Sequence, residues 1–199
     1  ASSRVPAFEP DIGLTRLETV RAARASVDQR RGRAGRTEPG VCYRLWEEAA
    51  TGALPAFAQP EILSADLSGL VLDLASWGVR DRTALAFLDP PPAVAWSEAV
   101  KLLQSLGALD IDGAIADEGR AIRNLPLPPR LARMVVDAAR NGAGEAAAEV
   151  AVLLSERGLG GNAVDLEDRL DRFRREKSPR ANAARGMARG WARAAGGAK

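Results

Sequence analysis

The sequence predicts a mainly α-helical chain, and three observations carry that expectation. From residue 59 onward apolar residues recur at i, i+3, i+4 and i+7, the spacing of one helix face. Glycine or proline closes most of these runs, as at Gly78, Pro90–Pro92, Gly107, Gly142 and Ser178-Pro179. Strand-type alternation is confined to the residues before Glu47 and to a short stretch around Asp112-Gly113.

In chain order, Arg4–Pro10 and Leu14–Arg21 flank Asp11-Ile12-Gly13, which reads as a β-hairpin. Pro6 and Pro10 make the first run an edge strand, because proline cannot donate to a ladder. Ser26-Val27-Asp28-Gln29 then fits a capping box, Ser26 capping a helix and Gln29 reaching back to it. Val41 to Trp46 reads as a buried strand that contains Cys42. These elements form a first unit over residues 1–58.

A second unit spans residues 59–127. Pro60–Leu63 is a short helix, and Ser64 or Asp66 could cap the next one. That next helix carries Leu67, Leu70, Val71 and Leu74, with Trp77 extending the face and Gly78 ending it. Trp96, Val100, Leu103 and Leu106 line a further helix closed by Gly107. Leu109–Ile111 and Ala114–Ala116 flank Asp112-Gly113, a strong two-residue hairpin signal, and Asp117 caps a helix through Ile122. Three helices, a hairpin and a helix is the order of a winged-helix module. The helix that would enter a DNA groove has Lys101 as its only cation and also carries Glu98, so a scaffold role suits it better than groove reading.

Residues 128–199 read as a helical bundle. Pro129 suits a first helical turn, and Leu131, Met134, Val135 and Ala138 make an apolar face. A helix over Glu145–Ser155 carries Val150, Leu153 and Leu154, and Gly158–Asn162 is a loop. Asp165 starts a helix with Leu166, Leu170 and Phe173 on one side, and Asn182–Ala195 forms the last, with Trp191. Gly196–Lys199 reads as a linker.

Composition removes several kinds of chemistry. There is no histidine, which excludes His-based acid–base catalysis, a Ser-His-Asp triad and most zinc sites. One cysteine permits no internal disulfide and fits a reducing cytoplasm. No apolar run is long enough for a membrane helix, and no phosphate loop of the Gly-x-x-x-x-Gly-Lys-Ser/Thr type occurs. The net charge of +2 hides arginine-rich ends and an acidic middle, a distribution that suits anionic partners or simply solvated faces.

The densest candidate site is Gln29-Arg30-Arg31-Gly32-Arg33-Ala34-Gly35-Arg36. On a continuous helix Gln29, Arg33 and Arg36 fall at i, i+4 and i+7 and share a face, with Gly32 as a bare patch among them. One amide and two guanidiniums suit a polyphosphate, because arginine offers planar, two-pronged contacts to phosphate oxygens. A solvated basic face is the other reading of the same residues.

This spelling, Gln-Arg-x-Gly-Arg-x-Gly-Arg, resembles motif VI of superfamily 2 helicases. The flanking Ala25–Asp28 and Thr37–Trp46, with Phe87–Pro92 and Leu106–Asp110, are similar to the HrpB-type group of DEAH-box helicases. The resemblance continues through most of the 199 residues. It implies that residues 1–58 are the end of a second RecA-like α/β lobe, residues 59–127 a winged helix, and residues 128–199 a ratchet bundle. It implies ATP with Mg2+ as cofactor, Arg33 and Arg36 as arginine fingers on the phosphates, and Gln29 placing the attacking water or the γ-phosphate. The first RecA-like lobe, the Asp-Glu-Ala-His box and the metal carboxylates would lie outside this chain, which alone would hydrolyse no ATP. Single-stranded RNA or DNA would be the partner, guided by the ratchet bundle, with Arg130 and Arg133 as the phosphate contacts to test. Those two arginines could equally face solvent or pair with carboxylates. The alternatives at this level are a non-enzymatic winged-helix regulator of nucleic acid and a protein-interaction scaffold.

Overall fold

The computed structural model describes residues 2–9 and 14–196. The expected hairpin turn at Asp11–Gly13 and the end of the expected linker, Gly197–Lys199, lie outside the described residues. Strand β1 (Ser2–Glu9) pairs antiparallel with β2 (Leu14–Arg21), Val5 opposite Glu18 and Pro6 opposite Leu17. Nine α-helices follow among the described residues: α1 (Arg24–Gly32), α2 (Glu48–Gly52), α3 (Ser68–Ser76), α4 (Ala93–Ser105), α5 (Asp117–Arg123), α6 (Pro129–Arg140), α7 (Gly144–Ser155), α8 (Leu166–Arg175) and α9 (Pro179–Gly196). Single 3-10 turns occupy Glu61–Leu63 and Arg82–Ala84. The architecture is mainly helical, as the apolar periodicity predicts.

The chain divides into two compact units. One comprises the residues up to Asp66 together with Leu85–Ala95; the other comprises Leu67–Ala84 and the residues from Trp96 onward.

The first unit has a small core of Ala22, Val27 and Leu54, with Trp46 packed against it. The Trp46 indole N–H donates to Thr51 Oγ1 at 3.0 Å, which satisfies the polar edge of a ring lying on an apolar patch. The expected strand from Val41 to Trp46 does not form. Among the described residues the sheet has only two strands, so this segment has no ladder to join, and Val41, Tyr43 and Leu45 are more than 70% exposed. Cys42 is exposed with them instead of buried.

In the second unit α3, α4 and α5 surround the wing. Leu67, Val71, Leu74, Leu103, Leu109 and Ile122 are buried there. The wing is reduced to one antiparallel bridge, Leu109 with Ile115. Gly113 takes φ +78°, and Asp110 Oδ1 accepts from the backbone N–H of Asp112 and Ala114, so the Asp-Gly turn forms without regular strands. Trp77 falls outside the core, 70% exposed, because α3 ends at Ser76 and Gly78 turns the chain away.

The bundle packs α6, α7 and α9 against one another, with α8 against α7 and α9. Its core is rich in alanine: Ala132, Ala148, Ala151, Ala181, Ala184 and Ala188 are buried beside Val135, Val136, Val152 and Phe173. Small side chains let helix axes approach closely. The apolar faces are therefore rotated from those expected, with Leu154 half-exposed and Leu131 and Met134 only partly covered.

The expected caps of three helices are corrected. Ser26 is the third residue of α1, whose N-cap is Ala23, and neither Ser64 nor Asp66 caps α3, whose N-cap is Leu67. Asp117 is likewise the first residue of α5 rather than its cap. The expectation for Asp165 holds: its carboxylate accepts from the N–H of Glu167 at 2.7 Å and of Asp168 at 3.3 Å.

Candidate phosphate and nucleic-acid site

Helix α1 supplies the first half of the arginine segment. Its mean composition is strongly polar, and Val27 is its one buried residue, so the helix lies on the surface of the first unit by a single apolar anchor. Helical hydrogen bonding ends at Gly32: the N–H groups of Arg33 and Ala34 turn back to the carbonyls of Arg30 and Arg31, tightening the last turn. Gln29 therefore lies on the helix, Arg33 caps it, and Arg36 lies beyond it in a bend. The single helix face expected for all three is replaced by a helix end and a loop, because Gly32 and Gly35 within four residues disfavour another turn.

The loop is closed by a second constraint. A Cβ added to Gly40 would sit 1.8 Å from the Ala34 carbonyl oxygen, so only glycine allows the chain to fold back onto that point. Arg36 lies between these two contact points, carried on a short, tied loop. Gly32 has open space where its side chain would be. Gln29, Gly32, Arg33 and Arg36 are all exposed.

The surrounding arginines divide by task. Arg30 donates to the Ser2 carbonyl at 3.4 Å and Ser3 Oγ at 3.3 Å, and Arg44 pairs with Asp28 at 2.7 Å. Arg24 reaches the Gly52 carbonyl at 3.4 Å. Arg31, Arg33 and Arg36 have no side-chain partner among the described residues. Three guanidiniums thus build the unit, and three face outward uncompensated. Exposed guanidiniums at a helix end are available to phosphate oxygens without first breaking an internal bond.

The two bundle arginines part company in the same way. Arg130, in the first turn of α6, is exposed and unpaired among the described residues. Arg133 is held from three sides: Nε donates to Asp137 at 2.8 Å, Nη1 donates to the Leu106 carbonyl at 3.0 Å, and Nη1 lies 2.7 Å from Glu118 Oε1. Arg140 completes the cluster, 2.8 Å from Glu118 Oε2, and its pKa is raised above the ordinary guanidinium value, chiefly by that hydrogen bond. Sequence spacing could have marked Arg133 as paired, since Asp137 stands at i+4 where Arg130 has Met134; its second carboxylate, Glu118 on α5, comes from another helix.

On α4, Lys101 is paired with Glu98 at 2.9 Å, so the one cation of the helix expected to enter a groove is already neutralised. Among the described residues no group of three or more His, Cys, Asp or Glu side chains could hold a metal ion.

Residues 99–127 match the helicase associated domain (HA2), winged-helix, family model. Over 156 residues, 78% of this chain and 19% of the relative, the sequence is 42% identical to the ATP-dependent RNA helicase HrpB of Escherichia coli K12. It is 34% identical over 169 residues, 84% of this chain and 14% of the relative, to the pre-mRNA-splicing factor ATP-dependent RNA helicase prp22 of Schizosaccharomyces pombe. The crystal structure of the Escherichia coli DEAH/RHA helicase HrpB superposes with a TM-score of 0.80 at 37% identity, covering 96% of this chain and 24% of that one. The chain spans at most about a fifth of the length of these curated relatives. The winged-helix match, the sequence identity and the superposition agree that the chain is similar to a segment of the HrpB-type DEAH-box helicases.

Proposed function

We propose that this chain serves an ATP-dependent nucleic-acid helicase, with Arg33 and Arg36 reaching the phosphates of an ATP bound against another lobe. The observation that carries this reading is the division among the arginines. Arg24, Arg30 and Arg44 are spent on internal bonds, whereas Arg33 and Arg36, like Arg31, are exposed and unpaired among the described residues, and Arg36 is set on a glycine-tied loop. As a phosphoryl group transfers, charge spreads over its oxygens, and guanidiniums poised there lower the barrier. Gln29, one turn earlier on α1, places the attacking water or the γ-phosphate. ATP supplies the chemistry when bound; this chain's part is to position donors and neutralise charge.

The winged-helix and bundle part guides a single strand, with Arg130 as a phosphate contact and Arg133 acting within the protein. RNA is the first substrate to test, since the similar proteins are RNA helicases by name. A cytoplasmic setting accords with the one free, exposed Cys42. The 199 residues hold no glycine-lysine phosphate loop, so the chain alone is expected to turn over no ATP.

Strand preference tests the reading. The purified chain should bind single-stranded oligonucleotides over duplexes of the same length, with little base preference. Tight binding to one duplex sequence, each mismatch costing about 1–3 kcal/mol, would instead mark a sequence-reading regulator.

A further inference from the structure

The loop joining α7 to α8 holds features that the ATP site does not use. Gly158, Gly160 and Gly161 all take positive φ, at +72°, +67° and +76°. Gly160 is fixed there by contact as well as by angle, since an added Cβ would lie 2.3 Å from the Arg169 carbonyl oxygen. Among the described residues, none of the backbone N–H groups from Gly160 to Val164 donates to a protein acceptor. Successive N–H groups released by left-handed residues form concave donors for anions.

Arginines surround this loop. Arg169 donates from Nη2 to the carbonyls of Leu153 at 3.0 Å and Leu159 at 3.5 Å, while its Nε is buried without a partner. A Cβ on Gly161 would lie 3.4 Å from Arg172 Nη1, and one on Gly158 would lie 3.6 Å from Arg180 Nη1, so both guanidiniums lie along the loop. Arg157 and Arg172 are exposed, and neither side chain is paired among the described residues. A cavity of about 390 Å³ opens here, lined by Leu153, Arg157, Gly161, Asn162 and Arg169 together with Glu156. Glu156 is the one carboxylate in that lining, and it leans 3.6 Å from Arg180. The lining holds Arg157 and Arg169 against Glu156, which Arg180 offsets, and Arg172 lies beside Gly161, so positive charge is in excess at a groove with free amide donors.

We infer that the Gly158–Asn162 loop, with Arg157, Arg169 and Arg172, binds the phosphodiester backbone of a single-stranded nucleic acid. The inference rests on the helicase reading and adds a second contact to the bundle besides Arg130. Arg169 is held by its carbonyl bonds and shapes the site, whereas Arg157 and Arg172 are free to close on phosphate. With no aromatic ring lining the groove, the contact tracks the backbone and leaves the bases unread.

The test titrates the whole chain into a fluorescein-labelled 12-nucleotide oligo-uridine at several salt concentrations. The Arg157→Gln/Arg172→Gln double variant should bind about tenfold more weakly, and its log–log salt slope should fall by about 1.4, or ~0.7 for each lost phosphate contact. Because neither side chain is paired, its thermal midpoint should match that of the wild type. Wild-type binding that is weakened by Arg130→Ala but untouched in the double variant would overturn this inference and leave the helicase reading standing. No wild-type binding at low salt would overturn both. Sodium pyrophosphate binding that the double variant loses, with oligonucleotide affinity unchanged, would assign the loop to a small anion and overturn the strand assignment.

Discussion

Arg133 on α6 and Glu118 on α5 lie 2.7 Å apart, with side chains 29% and 18% exposed. Around them Asp137, Arg140 and the Leu106 carbonyl complete a cluster that ties the bundle's first helix to the end of the wing. Removing Arg133 would leave Glu118 half-paired and the Leu106 carbonyl without its donor. Arg133→Ala is expected to cost about 1–3 kcal/mol in chemical denaturation, as a lost charged hydrogen bond does. Arg140→Ala, at a more exposed position, should cost less. Equal losses would show that the cluster is only a surface ion pair.

Two glycines in helices should respond in opposite directions to alanine. At Gly119 of α5 the new Cβ would sit 2.2 Å from the Ala108 carbonyl oxygen, so α5 must move off the wing. At Gly186 of α9 it would meet nothing within 4 Å. Thermal melts should show Gly119→Ala strongly destabilised and Gly186→Ala stabilised by about 0.5–1 kcal/mol, the usual helical gain over glycine. A stable Gly119→Ala protein would mean that α5 and the wing are not in contact.

The cap on α8 allows a third check. Asp165→Ala removes the acceptor for two free N–H groups and should cost about 0.5–2 kcal/mol, whereas Asp165→Asn should cost much less. Loss in the asparagine variant comparable to alanine would place the effect in charge rather than in capping.

Acid should loosen the turn at Arg82–Ala84. The Asp81 carboxyl is held below its ordinary pKa, first by the Thr83 backbone N–H, which donates to Oδ1 at 2.8 Å. A carboxylate with a depressed folded pKa adds stability above its unfolded pKa and loses it as pH falls through the folded value. Amide exchange at Thr83 should therefore rise below the usual carboxylate range. In Asp81→Asn that acid-induced rise should vanish; an unchanged pH profile would contradict the assignment.

How far the sequence reveals this molecule depends on what holds each part. The bundle and the wing were legible because their signals are local: Pro129 opens α6, Asp165 caps α8, and Asp112-Gly113 fixes a turn. Which face of a helix is buried was less legible where alanines set the packing, as at Ala148 and Ala151, because alanine carries little periodic signal. Val41–Trp46 misled, since alternation describes a strand's faces and says nothing of whether a partner strand exists. In the candidate site the residue types were legible, but the break after Gly32 was not, because helical spacing was extended through two glycines. Arg133's carboxylate partner Glu118 comes from another helix, a contact invisible to spacing along one helix.

ATP turnover most directly tests the role given to the two unpaired arginines. In a protein that joins this chain to a lobe bearing a phosphate loop, Arg33→Ala/Arg36→Ala should lower kcat by about 10³–10⁵ while strand binding persists. Undiminished turnover in that variant would contradict the account.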